Sequence, residues 1–153
     1  MILPAQHIRF LQPVSPFCER TVAHGMTYGV GPAGYDVRIA ETVTVKPGVF
    51  ALASTVERFA IPDFIMGFVH DKSTWARRGL AVQNTVIEPG WGGYLTLELT
   101  NHGNAVIELQ AGMPIAQIVF HRLEEPTNLP YEGRYQDQQA GPQPARMAQE
   151  GDR

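Results

Sequence analysis

The chain has 153 residues, a formal net charge of −3 and 44% hydrophobic residues, which describes one domain large enough to build its own core. No basic block exceeds the pair Arg77 and Arg78, so the cationic stripe of a nucleic-acid binder is missing and no nucleic-acid partner is expected. The single cysteine, Cys18, excludes an internal disulfide and any multi-thiolate metal site, and no apolar run approaches the ~20 residues that span a bilayer.

The opening MILPAQHIRF lacks the basic-then-apolar order of a signal peptide, so a cytoplasmic protein with no membrane partner is expected. Residues 4–12 (PAQHIRFLQ) predict a short helix or helical turn. Short runs of β-branched and aromatic character follow. VRIAETVTVKPG alternates over Val37, Ile39, Val43 and Val45; VFALASTVERFAIP and FIMGFVH come next. Residues 71–79 (DKSTWARRG) predict a second short helix, with Asp71 as its cap and Gly79 closing it. Then come YLTLELTN, AVIELQAGMP and IAQIVFHRL. The turns KPG, IPD, EPGWGG, NHGN and AGMP carry the proline or glycine that a tight reversal needs. Short strands with turns at this spacing predict an all-β sandwich or barrel rather than βαβ units.

From Glu124 the chain becomes polar and rich in proline and glutamine, with almost no apolar periodicity. Such a segment orders only against something else. Tyr131, Arg134 and Tyr135 predict that its first half, residues 124–140, docks, while a loose tail is expected from Gly141 to residue 153.

Several chemistries are absent from the sequence. There is no His-x-Glu with a Pro-Cys-x-x-Cys run, as zinc deaminases need. His7, His24, His70, His102 and His121 have no metal-ligand spacing. Neither a Walker-type glycine loop nor a G-x-S-x-G elbow occurs, since Ser15, Ser54 and Ser73 lie in other contexts. Metal-free hydrolysis or simple binding remains.

Within YLTLELT the leucines share one face, and Tyr94, Thr96, Glu98 and Thr100 share the other. Glu98 is either one charge on a solvated face or a carboxylate that a rigid strand aims at a bound ligand, with Thr96 beside it. Partial burial would raise its pKa and make it a proton shuttle. Glu88, in IEPGW, is an ordinary turn residue, an acceptor for a ligand hydroxyl, or a general base. Trp91 is core, an interface anchor, or a wall against a ligand ring. Lys72, Ser73, Thr74 and Arg77 group a cation, two hydroxyls and a guanidinium, which suits either a phosphate cradle or a short polar surface helix. Arg134, Tyr135 and Gln138 either close over a polar ligand or belong to a loose tail.

Together DKSTWARRGL, IEPGWGGYLTLELTN, AGMPIAQIVF and YEGRYQDQQ resemble the dCTP deaminase branch of the dUTPase-like superfamily. GPAGYDVRI is similar to that family's segment around its Asp-x-Arg signature. The resemblance spans roughly residues 29 to 139. It implies a distorted, jelly-roll-like β-barrel with one or two short helices, a homotrimer with active sites at subunit interfaces, and zinc-free deamination of a cytosine deoxyribonucleoside triphosphate. By motif position Glu98 is similar to the family's catalytic glutamate. Ser73 and Arg77 fall where a serine and an arginine from a neighbouring chain hold water and phosphate. Lys72 and Thr74 occupy the places of an arginine and a serine that donate to phosphate. Glu88 stands for an aspartate on the 3′-hydroxyl, and Arg134 and Gln138 for a lysine and a glutamine that close over the triphosphate. Magnesium arrives on that triphosphate, with no ligand from the protein expected.

This chain departs from the family at Glu88, where the carboxylate stands one methylene further out than an aspartate's, and in the loop before it. Gln83-Asn84-Thr85 runs straight into Val86-Ile87-Glu88, about two residues shorter than the family's base-reading loop. Three activities follow from the resemblance. The leading one is dCTP deamination. The second is dUTP pyrophosphatase activity, alone or combined with the first, with Glu88 activating a water. The third is a trimer that binds nucleotide or protein without turnover.

Overall fold

The computed structural model describes residues 1–148. In chain order its elements are α1 (Ala5–Leu11), β1 (Val14–Ser15), β2 (Thr21–Ala23), β3 (Met26–Gly31), β4 (Gly34–Arg38), β5 (Val43–Val45), β6 (Phe50–Ala60), β7 (Ile65–Asp71), α2 (Ser73–Ala76), β8 (Leu80–Val82), β9 (Val86–Ile87), β10 (Gly92–Asn101), β11 (Ile107–Leu109) and β12 (Pro114–Arg122). The fold is all-β with two short helices, as the alternation and turn spacing predict. Among the described residues no helix is long and apolar enough to cross a membrane.

The strands form a six-stranded sheet in the order β2-β3-β4-β12-β7-β9, a four-stranded sheet β1-β6-β10-β8, and the pair β11-β5. Their ladders are antiparallel, so one face of each strand can turn inward while the other meets solvent or a ligand. Alternation is cleanest in β12, where Ile118 and Phe120 are fully buried between less buried neighbours. With Tyr35, Val37 and Ile65 of the large sheet and Phe59, Leu97 and Leu99 of the smaller one, they make a single core. α1 ends where Gln12 takes a left-handed conformation and Pro13 cannot continue the helix.

Two expectations need correction. Asp71 does not cap α2: Lys72 is the cap residue, without a side-chain cap bond, and Asp71 Oδ1 instead accepts from the Val82 N–H at 2.7 Å. The three leucines of β10 do not form one stripe. Leu97 and Leu99 are fully buried, whereas Leu95 is only half-buried. The cause is a register break against β6, where Tyr94 pairs with Arg58 but Thr96 pairs with Ser54. Thr55 stitches the break, accepting from the Leu95 N–H at 3.0 Å and donating to the Glu57 carbonyl at 2.7 Å.

Beyond β12 the chain runs back along the smaller sheet. Tyr131 N–H donates to Pro89 O, Asp137 N–H to Gly92 O, and Gln138 forms a parallel bridge with Gly93. Of the tail expected from Gly141, residues 141–148 continue over the same surface: the Gln143 N–H donates to Thr96 Oγ1 at 3.0 Å, and the Arg146 N–H to the Tyr135 hydroxyl at 2.8 Å. Residues 149–153 lie outside the described residues.

Candidate active site

A cavity of about 560 Å³ opens where β10, residues 84–88 around β9 and the C-terminal segment meet. That volume suits a small-molecule ligand. Its wall brings together six of the residues expected at a site: Glu88, Trp91, Thr96, Glu98, Tyr135 and Gln138. Phe50 and Leu52 of β6, Val69 of β7 and Leu95 supply an apolar side.

Glu98 reaches the wall because it alternates with Leu97 and Leu99, whose side chains are locked in the core. It is half-buried, and its carboxylate has no hydrogen-bond partner among the described residues. Burial therefore pushes its pKa up from the ordinary value of 4.5, since nothing opposite stabilises the charged form. A carboxyl tuned this way exchanges protons more readily near neutrality than an exposed one.

Trp91 plays a structural and a lining role at once. It is buried, its ring sits 5.9 Å from that of Phe59, and its Nε1–H donates to Tyr135 O at 2.6 Å. Gln138 is also buried, and its Nε2 donates to Tyr94 O at 2.9 Å and Thr96 Oγ1 at 2.6 Å. Glu88 is exposed at the cavity mouth. Arg134 is exposed too, and its carbonyl accepts from the Arg146 guanidinium at 2.8 Å.

The hydroxyl and guanidinium cluster lies elsewhere. Lys72 and Ser73 line a second cavity of about 270 Å³, with Asp36, Asp71 and Tyr28. Lys72 is not a free phosphate donor: its Nζ is buried and lies 2.7 Å from Asp36 Oδ2. Thr74 on α2 and Arg77 just after it are exposed. That turn is anchored by Trp75, whose Nε1–H donates to Pro114 O at 2.7 Å. Within one chain, then, Ser73, Thr74 and Arg77 do not share the Glu98 cavity.

Three residues that sequence reasoning passed over help build the site. Gln136 holds the 89–92 turn, accepting from the Gly92 N–H at 2.9 Å and donating to Gly90 O at 2.9 Å. Gln143 supplies the backbone donor to Thr96. Asn84 bridges two backbone groups of β10, donating to Thr96 O at 2.6 Å and accepting from the Glu98 N–H at 3.0 Å. In the sequence all three read as ordinary polar residues of turns or tail. Among the described residues no group of three or more His, Cys, Asp or Glu side chains is arranged to hold a metal ion.

Residues 35–123 match the family model for dCTP deaminase-like proteins. The chain is 37% identical over 151 residues to a dCTP deaminase of Thermococcus kodakarensis, covering 89% of this chain and 92% of that one. It is 32% identical over 161 residues to a dCTP deaminase of Campylobacter fetus, covering 84% and 87%. Among solved structures it is similar to the dUTPase of Staphylococcus bacteriophage 80alpha, with a TM-score of 0.57 and 20% identity over 78% of this chain and 92% of that one. The native EIAV dUTPase gives a TM-score of 0.55 and 23% identity over 66% and 84%. At those identities the structures speak for the fold alone, and that fold is the dUTPase-like jelly-roll barrel.

Proposed function

The chain belongs to the dCTP deaminase-like family, and from that premise we propose that it hydrolyses dCTP to dUTP and ammonia with Glu98 as the proton carrier. The observation that carries this reading is the half-buried, unpartnered Glu98 carboxylate on the wall of a nucleotide-sized cavity.

The chemistry asks for two proton transfers. Water adds to C4 of the cytosine ring as one of its protons passes through the carboxylate to N3, leaving a tetrahedral carbon. The carboxylate then takes the proton of the new C4 hydroxyl and delivers it to the amino group, the C4–N bond breaks, ammonia leaves and a carbonyl forms. One carboxylate serves both transfers if it lies within hydrogen-bond reach of each atom. The C-terminal segment, already against the cavity through Gln138 and Gln143, excludes bulk water and so strengthens the field at that carbon.

We assign Ser73, Thr74 and Arg77 to the site of a neighbouring copy in a homotrimer. The support is their separation from Glu98 within one chain, since a site using both sets needs a second subunit. Arg134 and Glu88 are assigned to the triphosphate and the sugar, the substrate carries its own magnesium, and the enzyme works in the cytoplasm. Glu88 supports a second reading. A further acid on the same cavity wall could activate a water on the α-phosphate, giving dUMP and pyrophosphate.

Incubating the protein with dCTP, dCMP or dUTP plus magnesium, and separating the products, tests both readings. Ammonia and dUTP from dCTP are expected; no ammonia from the wild-type chain overturns the deaminase. Pyrophosphate from dUTP isolates the second activity. Light scattering of the purified protein tests the trimer, and a monomer that turns over dCTP would rule out a shared site.

A further inference from the structure

We infer that Asn84 is a positioning residue for Glu98, its side-chain carboxamide standing in for a strand peptide where the neighbouring strand departs. The inference rests on the deaminase reading for the importance of Glu98, but the hydrogen bonding behind it does not.

β8 pairs with β10 through Leu80 and Asn101, Ala81 and Thr100, and Val82 and Leu99. One further bond continues this ladder, from the Gln83 N–H to Glu98 O at 2.8 Å. The chain then turns away to form β9, which joins β7 in the other sheet. In an antiparallel strand the N–H and C=O of one residue point to the same side. Both backbone groups of Glu98 therefore face the edge that β8 is leaving. Without a substitute, the Glu98 N–H and the Thr96 carbonyl would lose their partners at the rim of the cavity.

Asn84 supplies both. A carboxamide carries the same donor and acceptor as a peptide group, and here Oδ1 accepts from Glu98 N–H while Nδ2 donates to Thr96 O. On the opposite edge β10 is irregular, with its register break between Tyr94 and Thr96. The segment that aims Glu98 is thus held at its own N–H by one side chain and at its carbonyl by the next residue back. Asn84 directly follows Gln83, the last residue to bond to β10 through its backbone, so its side chain stays against the strand as the chain turns away. A carboxylate that serves both a ring nitrogen and the amino group beside it tolerates little misplacement, and an error near 1 Å costs on the order of 100-fold.

The test compares Asn84→Ala and Asn84→Asp with wild type by ammonia release from dCTP, thermal melting, and hydrogen exchange at the Glu98 amide. Asn84→Ala is expected to lower kcat by about 10- to 100-fold with KM within about twofold, and to speed Glu98 amide exchange by at least about tenfold. Asn84→Asp keeps the acceptor for Glu98 but not the donor for Thr96, so it is expected to retain the exchange protection and fall between the other two in kcat. A purely structural role would lower the melting temperature and raise KM together, leaving the turnover of folded enzyme unchanged. Wild-type kcat in folded Asn84→Ala, or unaltered Glu98 exchange, overturns the inference. Should Asn84→Ala not fold, Asn84→Asp decides, and full kcat there with lost exchange protection overturns it. Absence of ammonia from the wild-type enzyme would instead overturn the functional reading, with the exchange rates still deciding whether Asn84 holds Glu98.

Discussion

The indole Nε1–H of Trp91 donates to the main-chain oxygen of Tyr135 at 2.6 Å, joining residues 44 positions apart. Trp91 packs on Phe59 in the core, so the bond ties the C-terminal segment to a buried side chain of the hydrophobic core. The Tyr135 hydroxyl then accepts from the Arg146 N–H, and Tyr135 and Gln138 both line the cavity. A polar segment with no core of its own is thereby held over Glu98 by a few hydrogen bonds to a buried anchor.

Trp91→Phe keeps the apolar ring and deletes the donor. Leaving the Tyr135 carbonyl unpaired is expected to cost about 1–3 kcal/mol, concentrated in the segment rather than the barrel. Trypsin should cut faster after the exposed Arg134, and KM for dCTP should rise more than kcat falls. Cleavage and KM both at wild-type values would show that the bond does not hold the segment.

Glu98→Gln should abolish ammonia release while sparing nucleotide binding, and its stability relative to wild type should depend on pH. In the folded protein burial raises the Glu98 pKa above its ordinary 4.5, so the folded state holds that proton more tightly than the unfolded chain does. The contribution to stability is fully present below the ordinary value and is lost as pH rises through the raised folded value. Glutamine has no proton to lose. The melting temperature of the variant should match wild type at about pH 4 and exceed it at about pH 8. The opposite order of the two proteins at the higher pH would contradict a buried, unpartnered carboxylate.

Lys72 should behave as half of a structural pair. Its ammonium and Asp36 are both largely buried and 2.7 Å apart, so Lys72→Met leaves a carboxylate without its counterion. The expected loss is about 3 kcal/mol in urea unfolding, with part recovered on adding Asp36→Asn. Additive effects of the two substitutions would mean that the pair is not coupled, and a rise in KM with unchanged stability would return Lys72 to the phosphate.

What could be read from the sequence was whatever has a short period. YLTLELT announces a strand with Glu98 off the core, because alternation depends only on neighbours two residues apart. Leu95 broke that pattern for a distant reason, the register shift set by Thr55 and Glu57 of β6. Lys72 in a polar turn resembles a phosphate donor until Asp36, 36 residues earlier, is brought against it by the fold. Asp71 resembles a helix cap for the same local reason, and only the return of β8 gives it the Val82 N–H. Asn84 carried no signal, since asparagine between a strand and a turn is ordinary and its role depends on where two strands part.

Gly92 and Gly93 are adjacent in β10, yet they should respond differently to alanine. Gly93 has φ of +136°, and a Cβ there would lie 2.6 Å from the Gln138 backbone nitrogen and 2.9 Å from its oxygen. A Cβ on Gly92 would meet nothing nearer than the Phe59 carbonyl at 3.5 Å. Gly93→Ala must therefore strain the strand or push the segment around Gln138 off it, breaking the bond from the Tyr94 N–H to Gln138 O. Losses of about 1–3 kcal/mol, faster tryptic cleavage after Arg134 and a raised KM are expected for Gly93→Ala. Gly92→Ala should stay within about 0.5 kcal/mol of wild type with KM unchanged. Equal behaviour of the two variants would mean that the C-terminal segment does not lie against Gly93 in solution, and the closure over Glu98 that depends on that contact would go with it.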